Sequence, residues 1–152
     1  MAEYPILTEL LNLSNVKVVH YQLVGQYGIN LFVEPTIEMA LCPDCGHASE
    51  TLHDVGEPQM IRDLPIWDRR CWLRLTPRRF KCVTCQDTFV ERLAWREAGR
   101  DYTIRYEQHI YQRARNEPVT QIAKDEKLSE EMVQGIFEHW AKKRSPREAG
   151  QS

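Results

Sequence analysis

Cys42-Pro-Asp-Cys45-Gly46 and Cys82-Val-Thr-Cys85 are the stretches that decide the fold. Each C-x2-C pair sets two thiolates on one tight turn, with backbone amides facing the sulfurs. Two such turns brought together supply four thiolates in a tetrahedron, which suits Zn²⁺. Pro43 presets one backbone angle of the first turn, and Gly46 permits a positive φ. A lone pair would leave a redox motif open, but the βαβ context of a thioredoxin-like site is missing here. The segment between the pairs, residues 46–81, is 36 residues long. That exceeds the roughly 15–20 of the compact pattern, so a hairpin or subdomain is inserted between the two knuckles. Four thiolates also close the metal shell. The zinc is then structural, with no open position to activate water and no catalytic residue beside it.

The fifth cysteine, Cys71, makes the count odd and argues against a closed disulfide framework. It lies in a Trp- and Arg-rich stretch away from both pairs and reads as a small semi-buried hydrophobe. His47 and His53 are alternative ligands by residue type. Whether Asp63, Glu91 or a histidine supports the metal from behind stays open.

Outward from the knuckles, the 152 residues are 42% hydrophobic and 28% charged, enough for one ordinary domain or two small ones. No apolar run approaches the roughly 20 residues that span a bilayer. The N-terminus carries Glu3 and Glu9 and lacks the basic start of a secretory signal. The expectation is a cytoplasmic, nucleoid-associated protein with no membrane partner. Residues 5–14 place Leu7, Leu10 and Leu11 on one helix face. Residues 16–24 and 29–37, rich in β-branched and aromatic side chains and separated by Gly25–Gly28, predict a hairpin. Asp54–Pro65 reads as turn-rich. Arg70–Phe80 reads as one strand entering the second knuckle, and Thr88–Leu93 as a short strand leaving it.

The last third changes period. Tyr102, Tyr106, Ile110 and Ala114 recur at i+4. Pro118 opens a second helix over 119–126. Ser129 caps a third, whose stripe is Met132, Val133, Ile136, Phe137 and Trp140. The fold class is therefore α+β: a small antiparallel zinc-ribbon β unit followed by a three-helix helix-turn-helix unit. The expected boundaries are 1–97, 98–143 and a mobile polar tail at 144–152.

Charge is uneven. Residues 1–60 hold one base, Lys17, against eight acids; residues 61–100 hold ten bases against five acids; the remainder balances, for a total of −2. Such asymmetry points to nucleic acid despite the mildly acidic whole. Arg69, Arg70, Arg74, Arg78, Arg79 and Lys81 cluster beside Trp67 and Trp72. On a strand, Arg70, Trp72 and Arg74 share a face that can follow a phosphate backbone. The competing reading is a solvated face, or arginines paired with the acidic N-terminal half. In the helical unit Ser129, Glu130, Gln134 and His139 fall at groove-facing positions. There Gln134 suits adenine and Glu130 cytosine, while Thr120 and Lys124 suit phosphate. Against this, Glu130 and Glu131 repel phosphate, and many three-helix units are packing modules.

Cys42-Pro-Asp-Cys45-Gly46, His53-Asp54, Arg62-Asp63-Leu64-Pro65, Arg78-Arg79-Phe80-Lys81-Cys82 and Phe89-Val90-Glu91-Arg92, in that order, resemble the N-terminal zinc-binding region of bacterial insertion-sequence transposases of the ISL-three type. Residues 102–140 resemble the helix-turn-helix that follows there. The resemblance covers roughly residues 30–145. It implies double-stranded DNA as partner, specifically the element's terminal inverted repeats, together with a homo-oligomer or a full-length transposase. It also implies a downstream RNase H-like nuclease domain that this sequence does not contain, so the expectation is DNA binding without strand transfer. The chain is then a fragment, a relic or a standalone module. The alternative is a zinc-stabilised protein-protein interaction or assembly module, favoured by a pI of 6.2 and the acidic first 60 residues.

Overall fold

The computed structural model describes residues 3–151, with side chains through residue 143. It divides into two compact units, Met1–Thr103 and Ile104–Ser152. The division falls after Thr103, later than the expected 97/98 boundary. Residues 101–103 join the first unit through backbone bonds from Arg62 N–H to Asp101 O (2.8 Å) and from Thr103 N–H to Arg62 O (2.9 Å).

The first unit opens with α1 (Pro5–Leu11), started by a proline at its first turn and ended by Asn12 in the left-handed region. β1 (Val16–Val24) and β2 (Gly28–Pro35) form the expected hairpin, with a register shift near Val19. A Cβ on Gly28 would meet Val24 O at 2.7 Å, so the tight exit from the turn requires glycine. Next come β3 (Ala40–Leu41), β4 (Ala48–Ser49), β5 (Leu52–Val55), β6 (Gln59–Ile66), β7 (Arg69–Leu75), β8 (Arg78–Lys81) and β9 (Thr88–Val90).

These strands make more than a small antiparallel unit. A four-stranded sheet runs β1-β2-β7-β6, and β2 pairs with β7 in parallel, Ile29 beside Cys71 and Leu31 beside Leu73. The chain between β2 and β7 holds the first knuckle and β6, and that excursion brings β7 back alongside β2. Two expectations are corrected here. The stretch 54–65, expected as turns, carries half of β5 and most of β6. The single strand expected over 70–80 is two strands, broken at Thr76-Pro77. Pro77 has no N–H for a ladder, and its carbonyl instead accepts from Gly56 N–H at 2.9 Å.

One face of the large sheet is the core: Val16, Val18, Ile29, Leu31, Val33, Ile61, Leu73 and Leu75, joined by Leu11 of α1 and by Trp95. Cys71, expected as a semi-buried hydrophobe, is fully buried in this cluster. The β6 edge is shielded by residues 101–103, and buried Asp63 accepts a bond from Thr103 Oγ1 at 2.8 Å. The Arg62-Asp63 segment is therefore structural.

The second unit consists of α2 (Ile104–Ala114), α3 (Val119–Glu126) and α4 (Glu130–Gln151), which with α1 makes four helices among the described residues. Lys127 takes the left-handed conformation at the end of α3, and Ser129 Oγ accepts from Met132 N–H at 3.1 Å to start α4. Tyr106, Ile110, Ile122, Val133 and Ile136 are buried. The backbone of α4 stays helical to Gln151 through the stretch expected as a tail; side chains there lie outside those described. Among the described residues, no helix is long and apolar enough to cross a membrane.

Candidate metal centre and nucleic-acid interface

The two knuckles are copies of one turn. Cys42 N–H donates to His47 O and Gly46 N–H to Cys42 O; Cys82 N–H donates to Asp87 O and Gln86 N–H to Cys82 O, all at 2.8–2.9 Å. Gly46 (φ +78°) and Gln86 (φ +65°) occupy the same left-handed position. The first knuckle uses the residue suited to it. The second accepts glutamine, whose side-chain amide bonds Val83 O at 2.6 Å. Lys81 N–H to Thr51 O (2.9 Å), and Ser49 Oγ to Lys81 O, tie the hairpins together. Beneath them Phe80 and Phe89 stack at 6.2 Å, with Ala40 beside the sulfurs.

The Sγ atoms of Cys42, Cys45, Cys82 and Cys85 all lie within 4.8 Å of one another. Cys42 to Cys85 is 4.0 Å and Cys45 to Cys82 is 3.5 Å. A tetrahedron with Zn–S bonds of 2.3 Å has sulfur separations of about 3.8 Å, so the four sulfurs fit one zinc ion with little movement. The Cys85 backbone N–H, 3.4 Å from Cys82 Sγ, is the main cause that draws the Cys82 thiol down to about 7. Cys85 is pushed up to about 12, first by its bond with Cys45, then by burial. Protons held so unequally among crowded thiols are the protons a divalent cation displaces. His47 Nδ1 sits 3.3 Å from Cys45 Sγ, a contact to a ligand sulfur. His53 lies on exposed β5. Asp63 is engaged by Thr103, and Glu91 by Arg78.

The basic cluster separates into two sets. Arg78 makes a two-pronged bond to Glu91 (2.7 and 2.8 Å) and donates to Ile37 O; Arg79 is paired in the same way with Asp54. Both guanidiniums have their pKa raised by these bonds, and Asp54 is lowered by Arg79. Arg79 thus pairs with an acid of the N-terminal half, while the main partner of Arg78 is Glu91, beyond that half. On β7, Cys71 and Leu73 face the core, which places Arg70, Trp72 and Arg74 on the opposite face. Arg74 is exposed and lies over the Phe32 ring at 5.4 Å, and His20 packs on the same ring at 5.1 Å. Arg69 donates to Gly28 O at 3.1 Å, and Lys81 is exposed.

In the helical unit Thr120, Lys124, Ser129, Glu130 and Gln134 are all exposed, and His139 is half-buried. Gln134 donates to Glu138 at 3.2 Å, so the outer face of α4 carries Glu130, Gln134 and Glu138 together. Sequence reasoning missed the polar clamp on the inside of this unit. Arg113 bonds Glu117 and Asp125 at 2.8 Å and reaches Glu126 at 3.4 Å; Tyr106 donates to Glu126 at 2.7 Å. Buried Glu107 accepts from Trp140 Nε1 at 3.3 Å. The i,i+4 spacing of Arg113 and Glu117 was the available signal.

A zinc-ribbon site in the first unit and a helix-turn-helix unit in the second define the class of architecture. Comparison with known proteins narrows that class. Residues 38–85 match the zinc-finger of transposase IS204/IS1001/IS1096/IS1165, and residues 91–141 match the helix-turn-helix domain of transposase family ISL3. The transposase for insertion sequence element IS1001 of Bordetella parapertussis is 30% identical over 96 residues, covering 63% of this chain and 23% of that protein. No solved structure matches. Residues 38–85 and 91–141 are thus similar to the zinc-finger and helix-turn-helix regions of these transposases, and the four cysteines form the site for one zinc ion.

Proposed function

We propose that this chain binds double-stranded DNA as the end-recognition region of a transposase, with terminal inverted repeats as its target. The carrying observation is the serial order of a four-thiolate clamp and a helix-turn-helix unit, each matching the corresponding transposase region. In this reading zinc fixes the ribbon, and α4 enters the major groove with Ser129, Glu130 and Gln134 toward base edges. Thr120 and Lys124 meet phosphate, and the β7 face with Arg70 and Arg74 adds backbone contacts, assisted by Arg69 and Lys81. Arg78 and Arg79 hold the ribbon together rather than the DNA. No catalytic step is assigned to these residues. The protein acts in the cytoplasm at the nucleoid, as a homo-oligomer or with a full-length transposase.

The test is selection from random duplex DNA with zinc-loaded protein at two salt concentrations. Recovery of a discrete motif, with affinity falling steeply as salt rises, is the expected result. Failure to retain any duplex at physiological salt favours a second reading, a zinc-stabilised protein-interaction module. The acidic outer face of α4 and the neutralised Arg78 and Arg79 support that alternative.

A further inference from the structure

The end of the large sheet opposite the ribbon-bound strand ends carries two turns. One is the β1–β2 turn and the other the β6–β7 turn at Trp67-Asp68, and the parallel register Gly28–Arg70 sets them side by side. Arg70 N–H donates to Tyr27 O at 2.7 Å, and the Arg69 guanidinium reaches Gly28 O across the gap. Two aromatic rings stand out from this end. Trp67 is 88% exposed and Tyr27 is 58% exposed. Trp67 is also held at φ +43° and Asp68 at φ +67°. A two-residue turn of this kind favours Asn-Gly, and a bulky residue with positive φ is rare. An exposed tryptophan there gains nothing from burial, so its place is explained by something it touches.

We propose that Trp67 is a wedge that stacks on an unpaired or unstacked DNA base, with Arg69 holding the neighbouring phosphate. This rests on the DNA-binding reading above and extends it to a part of the molecule outside the helix-turn-helix. The choice of nucleic acid follows from charge. Arg69, two residues along the chain from Trp67, donates to the uncharged carbonyl oxygens of Gly25 and Gly28, and Arg74 lies further along the same strand. An exposed aromatic ring followed two residues later by an arginine matches a base stacked next to its phosphate. A purely apolar protein partner has no use for that charge.

The experiment compares the zinc-loaded full chain with its Trp67→Ala and Trp67→Phe variants. The probes are an intact duplex and the same duplex with one unpaired base at its centre, read by fluorescence anisotropy. The expected result is tighter binding of the interrupted duplex by the parent, a loss of about tenfold of that preference in Trp67→Ala, and its retention in Trp67→Phe. Unchanged melting temperature excludes a folding defect. Equal binding of both duplexes by all three proteins overturns the wedge while leaving DNA binding intact. Absence of binding to either duplex by the parent overturns the underlying reading as well. Loss of self-association in Trp67→Ala, with DNA binding unchanged, assigns the tip to a second copy of the chain and also overturns the proposal.

Discussion

The ribbon and the helical unit solve the same problem by different means. Under the knuckles the apolar interior is Ala40, Phe80 and Phe89 beside four sulfurs. In the helical unit Tyr106, Ile110, Ile122, Val133 and Ile136 are all buried, and an arginine with three carboxylates closes the open side. A segment with so little apolar surface cannot offset its conformational entropy unaided, and the metal supplies the difference. The helical unit has enough core to need none. The comparison teaches that the metal and the hydrophobic effect are local alternatives within one short chain.

The strongest way to break this contrast is to remove a ligand. Cys82→Ser should abolish stoichiometric zinc, and with it most of the roughly 10–16 kcal/mol that structural zinc binding contributes in comparable sites. Metal analysis and limited proteolysis between the knuckles read the effect, while the far-ultraviolet helical signal should survive. The converse is Ile136→Ala, which removes buried methyl groups from α4. It should cost the helical unit about 2–5 kcal/mol and leave zinc content intact.

Acid sharpens the contrast further. Zinc needs thiolates, so falling pH returns protons to sulfurs such as Cys85 and expels the metal. Glu117 and Asp125 have their pKa lowered by Arg113. Their contribution is present above the unfolded value and lost only as pH falls through the lowered one. On acidification the ribbon should therefore open before the helical unit, with zinc release preceding loss of helix in a parallel titration. Simultaneous loss would remove the distinction.

Smaller effects probe single turns. Ser129→Ala removes the acceptor for Met132 N–H and should destabilise the helical unit by about 1 kcal/mol. Trp67→Gly should leave zinc content unchanged and raise the stability of the first unit by up to about 1 kcal/mol, because glycine accepts φ +43° without strain. Calorimetric melts of the two variants measure both.

Local chemistry was legible in the sequence, and long-range pairing was not. The knuckles, the β1–β2 hairpin and the Ser129 cap all follow from spacing within a few residues. The parallel β2–β7 pair joins segments separated by the whole ribbon insertion, and no local pattern announces it. β6 escaped because Arg62 and Asp63 are consecutive and both buried, which spoils the alternation expected of a half-buried strand. Its edge is covered by residues 101–103, a tertiary fact. The arginine cluster was visible, but its division was not. Arg78 and Arg79 meet Glu91 and Asp54 only after β5, β8 and β9 pair, so sequence alone could not tell ribbon clasp from DNA contact.

The most direct test is amide hydrogen exchange, resolved by mass spectrometry along the full zinc-loaded chain, with and without a chelator. The account predicts that chelation accelerates exchange across residues 40–55 and 78–90 and leaves protection within residues 104–141 unchanged. Protection lost uniformly along the chain, or retained in the knuckles, would contradict it.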